Sequence, residues 1–162
     1  MSESKKNYTA ADLRILDPIE GILMRPDMYI SPDKDPRKMA AQIAEEAFIL
    51  TKGPVYLNRI DEWYIIAAEN DWLANPKCFE GEPEIQKLFR SIIAFPEWGD
   101  NSMYGEVLLT VFAQQVVTWL SGERTIIKGD ETEIDELERV VNDHPEWKRV
   151  VAFREFGKLD QE

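Results

Sequence analysis

The sequence predicts an α+β fold: a two-layer sandwich in which a mixed, mainly antiparallel sheet carries helices on one face. Three observations lead there. Asp-Pro pairs at 17–18 and 35–36 each open an apolar run at helical spacing, which is the chemistry of a helix start. The stretch "PVYLNRIDEWYIIAA" reads as two short strands with a polar turn between them, a hairpin. Beyond these, helices and strands alternate irregularly, without the regular strand–helix order that a parallel sheet requires.

The elements follow in order. Residues 1–7, polar and charged, read as a loose arm ahead of a single domain over 8–162. Asp17 caps a short helix over "PIEGILM", and Pro26 ends it by disfavouring helical geometry at Arg25. Asp35 caps a second helix to about residue 51, stopping near Gly53. On it Met39, Ile43, Ala47 and Leu50 form one stripe; Glu46 flanks that stripe and Glu45 points away. Strands follow at 55–58 and 63–68. Pro83 opens a helix to about Ala94, with Ile85, Leu88, Phe89 and Ile92 facing the core. A long helix is predicted over 103–121, capped by Asp100 or Ser102. "RTIIKG" reads as a strand, and Thr132 with Asp135 as a capping box for a helix up to about Asn142. "KRVVAFREF" is open between a last strand and the end of a helix. The two Pro-Glu-Trp tripeptides, at 96–98 and 145–147, have unrelated flanks and mark no repeat.

Composition sets bounds on function. The chain has 162 residues, 44% of them apolar, with five Trp, five Tyr and seven Phe, enough for one well-filled core. Its 31 acidic residues outnumber 19 basic ones, for a net charge of −12. With the cations scattered singly, that field disfavours nucleic acid and suits a basic protein surface. Cys78 has no second cysteine for a disulfide. His144, the one histidine, has no second His or Cys for a zinc site. The run "GDETEIDELE" lacks the alternating ligands and central glycine of a calcium loop, and instead has Ile134, Leu137, Val140 and Val141 on one helical face. No metal and no cofactor are expected. With no apolar segment of bilayer-spanning length and no signal core at the start, the expected location is the cytoplasm.

The opening residues place the chain further. Tyr8, Leu16 and "RPDMYIS" at 25–31 resemble the N-terminal ATPase domain of the DNA gyrase B subunit and its topoisomerase IV counterpart. In that family a tyrosine-bearing arm leads into an Arg-Pro-Gly-Met-Tyr-Ile-Gly junction; here Asp27 and Ser31 stand at the two glycine positions. The register from Tyr8 to Ile30 needs no gap. The segment "VVTWLS" is similar to the family's Val-Val-Asn-Ala-Leu-Ser at the end of a long helix. The resemblance implies a Bergerat-type ATPase sandwich in reduced form, and it implies that the nucleotide chemistry has been lost. The helix that bears a general-base glutamate and an Asp-Asn pair in the family reads "MAAQIAEEAFILTKG" here. One register puts Glu45 at the base and Phe48-Ile49 at the pair. The other puts Ala41 at the base and Ala44-Glu45 at the pair. Neither supplies the magnesium-binding asparagine. In place of the adenine-reading Asp-Gly-X-Gly turn stands "DWLA", with Asp71 kept and Trp72 and Ala74 at the glycine positions. The glycine-rich phosphate segment keeps only Gly105.

The expected function is therefore that of a non-catalytic protein-interaction module. Its partner would be a topoisomerase-class ATPase that it regulates or mimics, or a basic toxin that it neutralises as an immunity or antitoxin protein. Candidate contact residues are Tyr8, Arg25, Tyr29, Trp72 and Trp98. The two tryptophans sit in predicted loops, where a large aromatic is either folded onto the core or held out as an interface anchor. The resemblance also implies a homodimer through the Tyr8 arm. The alternative is a nucleotide-binding protein or slow ATPase that uses Glu45 and Asp71 in a rearranged pocket.

Overall fold

A computed structural model of the chain describes residues 9–10, 17–31, 33, 35–74 and 85–154. Tyr8 and its arm, Leu16, Cys78 and the helix start at Pro83 lie outside them. The helices are α1 (Pro18–Met24), α2 (Pro36–Thr51), α3 (Ile85–Arg90), α4 (Glu106–Phe112) and α5 (Asp135–Asp143). The strands are β1 (Val55–Ile60), β2 (Trp63–Ala68), β3 (Val116–Leu120), β4 (Glu123–Lys128) and β5 (Arg149–Arg154). Short 3₁₀ turns cover Pro26–Met28 and Trp72–Ala74.

The Asp-Pro starts behave as their chemistry requires. The Asp17 carboxylate accepts the Ile19 N–H at 2.8 Å, and Asp35 accepts that of Arg37 at 3.0 Å. Each satisfies one of the amides that a first helical turn leaves unpaired. Helix α1 ends at Met24, one residue before the Arg25–Pro26 junction. Helix α2 ends at Thr51, two residues before Gly53, because Lys52 itself takes the left-handed conformation (φ 52°) and donates its N–H to the Phe48 carbonyl.

All five strands pair antiparallel, in the order β1-β2-β5-β3-β4. Strand alternation divides the sheet's side chains between two cores. Tyr64, Ile66, Ala68, Val116, Ile127, Val151 and Phe153 face the main helical layer, which brings Ile22, Met39, Ile43, Ala47, Phe89, Val107 and Leu109. Thus the α+β sandwich of an antiparallel sheet and a helical layer is present. Helix α5 is added on the opposite face, where Leu137 and Val141 with Ile134 and Trp147 cover Trp63, Ile65, Val117, Trp119 and Val150.

Three expected elements differ. The helix expected over 103–121 is instead the seven-residue α4 followed by strand β3. Ala113 is extended (ψ 154°), and the buried Gln115 side chain fixes the corner by donating to the Asp130 and Thr132 carbonyls. Val116–Leu120 then finds neighbours on both sides, β5 and β4, which a helix there would leave unpaired. Residue Gly105, not Asp100 or Ser102, precedes α4. Helix α3 stops at Arg90, so Ile92 lies beyond it and is 46% exposed. No capping box forms at Thr132, whose own N–H is held by the Asp130 carboxylate at 2.9 Å in a tight turn; α5 begins only at Asp135.

Candidate functional site

The structure brings together the glutamate-bearing helix, the "DWLA" turn and the Gly105 segment. Glu46 lies on the inner side of α2 with Met39 and Ile43, and is fully buried, whereas Glu45 is exposed. Its Oε1 accepts the Gly105 N–H at 2.6 Å. Glu106, the first residue of α4, is also fully buried and accepts the Trp72 Nε1–H at 3.2 Å. Gly105 is needed for this approach. A Cβ there would come within 3.0 Å of Gln42 Nε2 and of Met39 Cε, and within 3.1 Å of Glu46 Oε1.

The second oxygen of each carboxyl, Glu46 Oε2 and Glu106 Oε2, is buried without a hydrogen-bond partner, and the two carboxyls are near enough to act on each other's ionisation. Burial raises the Glu46 pKa well above the ordinary value, and the Glu106 charge adds to it. Burial also raises Glu106, opposed by hydrogen bonds from Glu46, its own N–H and Trp72. Two neighbouring buried carboxyls do not both ionise, and Glu46, the more strongly raised, is the one that keeps its proton. In the folded chain these groups hold protons that the unfolded chain, with ordinary carboxyls near 4.5, has released. Their contribution to stability is therefore complete below that value and is lost as pH rises through the raised pKa values. Glu46→Gln keeps a donor and an acceptor but cannot ionise. Melting temperatures measured from about pH 5 upward should fall less steeply in this variant than in the parent; equal slopes would contradict the retained proton. Asp33, held at about 2 by Lys38 and Ser31, acts only at the acid end and does not interfere.

Asp71 is committed elsewhere. Arg149 on β5 grips it in a fork, Nε to Oδ1 at 2.7 Å and Nη2 to Oδ2 at 2.8 Å, with both side chains buried. Oδ1 also accepts the Leu73 N–H at 3.1 Å, which starts the 3₁₀ turn. Arg149 Nη1 donates to Thr118 Oγ1 at 3.1 Å, and that hydroxyl donates to the Val150 carbonyl at 2.8 Å. Arg149 was not among the residues singled out from sequence. Its one signal is that it directly abuts the apolar run Val150–Phe153.

Of the candidate contact residues, Trp72 is corrected. It is fully buried and hydrogen-bonded inside the core, so it cannot anchor an interface. Trp98 is partly buried and sits edge-on to Phe95 at 5.9 Å. Tyr29 is half-buried against the main core and, with Ile30, Asp35, Lys38 and Gln42, lines a recess of about 220 Å³. Arg25 is exposed, its Nη1 4.0 Å from the Met28 sulfur. Around it Leu23, Met24 and Met28 are 48%, 69% and 66% exposed, the largest apolar exposures on either side of the Arg-Pro junction. Glu45 and Asp71 are not a joint site: one faces solvent and the other is paired beneath the surface.

Two of the larger clefts lie elsewhere. One, of about 540 Å³, is lined by Asp61, Glu62, Glu133, Asp135 and Glu136, with Arg154 bonded to Glu62 and Glu133. The other, about 480 Å³, lies between α3 and strands β3 and β4 over Thr118 and Arg149. Neither is lined by Glu46, Trp72 or Glu106. His144 stacks on Trp147 at 3.9 Å and bonds Glu146 through Nδ1. Among the described residues no three metal-ligating side chains cluster, and no helix is long and apolar enough to cross a membrane. Comparisons of the chain with protein-family models, with curated proteins and with solved structures find no match.

Proposed function

We propose that this chain is a non-catalytic protein-interaction module of the cytoplasm, built on a reduced gyrase-B-like fold whose nucleotide site its own side chains have filled. One observation carries this reading. The three segments to which the resemblance assigns base, adenine and phosphate meet as Glu46, Trp72 and Gly105–Glu106, all buried and bonded to one another. A general base needs a water and a phosphate within reach, and this cluster is closed to both. Asp71, the adenine reader of the alternative reading, has both oxygens on Arg149.

The contact surface is the α1–3₁₀ junction. Methionines adapt to irregular partner surfaces, and Met24 and Met28 are exposed beside the exposed Asp27, whose charge suits a basic partner. With a net charge of −12, the partner is a protein with a basic face, a topoisomerase-class ATPase or a basic toxin. Titration with a non-hydrolysable ATP analogue and magnesium should give no heat and no rise in melting temperature; micromolar binding would overturn the reading. In parallel, Met24→Asp with Met28→Asp should abolish capture of a specific partner from the native cell extract while leaving the melting temperature within about 2 °C, as expected of exposed sites. Undiminished capture would move the interface elsewhere.

A further inference from the structure

The cleft of about 480 Å³ between α3 and the β3–β4 end of the sheet is within the size range of small-molecule sites. Its walls are apolar where Ile85, Leu120 and Ile127 meet it. At its floor Arg149 has five guanidinium N–H groups. Two are taken by Asp71 and one by Thr118, leaving one N–H on each terminal nitrogen without an acceptor. The Thr118 hydroxyl hydrogen is already used on Val150, so the threonine offers no hydrogen that would compete for a ligand. Lys87 adds an ammonium at the α3 wall, and Glu123 at the strand end is the one carboxylate in the lining. A ligand oxygen entering the cleft would accept from these N–H groups in place of water.

We propose that this cleft binds a small amphipathic carboxylate: the apolar body lies against Ile85, Leu120 and Ile127, and the carboxylate accepts from Arg149 and Lys87. An ammonium head on the same body has no acceptor at the floor and meets two cations. The site is separate from the interaction surface proposed above and does not depend on it.

Octanoate and octylamine share one apolar chain and differ in the head, which makes them the test pair. Titrations of the full chain would be followed by NMR of the isoleucine and leucine methyl groups. Octanoate should give saturable shifts at Ile85, Leu120 and Ile127, with affinity at least about tenfold above octylamine at those methyls, as loss of charge-assisted hydrogen bonds implies. Thr125→Glu places a carboxylate in the lining from an exposed position and should weaken octanoate by a similar factor without changing the melting temperature. Equal or tighter binding of octylamine at those methyls, an unchanged octanoate affinity in Thr125→Glu, or no shift at millimolar octanoate would each overturn the proposal.

Discussion

Arg149→Ala is expected to lose about 3–5 kcal/mol of folding stability, the cost of leaving one member of a buried ion pair without its partner. The geometry makes this a severe case. Arg149 is 2% and Asp71 8% exposed, so solvent cannot replace the lost guanidinium. Three elements depend on that side chain: the 3₁₀ turn through Asp71, strand β3 through Thr118, and β5 itself. Urea unfolding followed by tryptophan fluorescence would measure the loss. The double variant Asp71→Leu with Arg149→Met separates attraction from burial. An apolar pair of similar volume should recover most of the stability, because the ion pair's desolvation cost is removed along with its Coulombic gain. A single variant that loses less than about 1 kcal/mol, the scale of a surface pair, would show that the pair is hydrated in solution.

Trp72→Ala is expected to cost a comparable amount, about 3–5 kcal/mol, as a fully buried tryptophan is cut back to a methyl. Two effects add in that number, and Trp72→Phe divides them. Phenylalanine keeps most of the apolar volume but has no N–H for Glu106, so it should cost about 1–3 kcal/mol, the price of an unsatisfied buried acceptor. It should also raise the pKa of Glu106 further, since the indole N–H is one of the donors that hold it down. The loss of stability with rising pH would then extend to higher pH and be larger for that carboxyl, a pH dependence that a simple packing defect lacks. If Phe and Ala cost the same, the hydrogen bond has no weight in the core.

The parts of the fold legible in the sequence were those fixed by local chemistry. Asp17-Pro18 and Asp35-Pro36 cap helices with their own side chains, and no distant residue is needed to see it. The β1–β2 hairpin likewise needs only its own two strands and turn. Where a segment's state depends on what lies beside it, sequence reading went astray. "EVLLTVFAQQVVTWL" is one apolar run with no proline or glycine, yet α4 gives way to β3 within it because β5 and β4 offer pairing partners to the β-branched "VVT". For the same reason the candidate site was only half legible. Asp71 and Trp72 could be singled out from the sequence, but Trp72 was read as a contact residue and is buried. The partners Glu106 and Arg149, 34 and 78 residues away from Trp72 and Asp71, could not. Glu46 read as a flanking residue because a carboxylate is seldom fully buried, and only its protonated state beside Glu106 makes that burial tolerable.

The position of β5 has a consequence for how the molecule comes into being. Among the described residues it is the last strand in chain order but the middle strand of the sheet, bonded to β2 on one side and β3 on the other. Until residues 149–154 are in place, β2 and β3 each lack the backbone partner that β5 supplies. Synthesis and folding are thus separated in time, and the closing step joins residues as far apart as Trp63 and Arg154. During that interval the open edges are the surfaces a chaperone would hold, and the mature sheet keeps no trace of them.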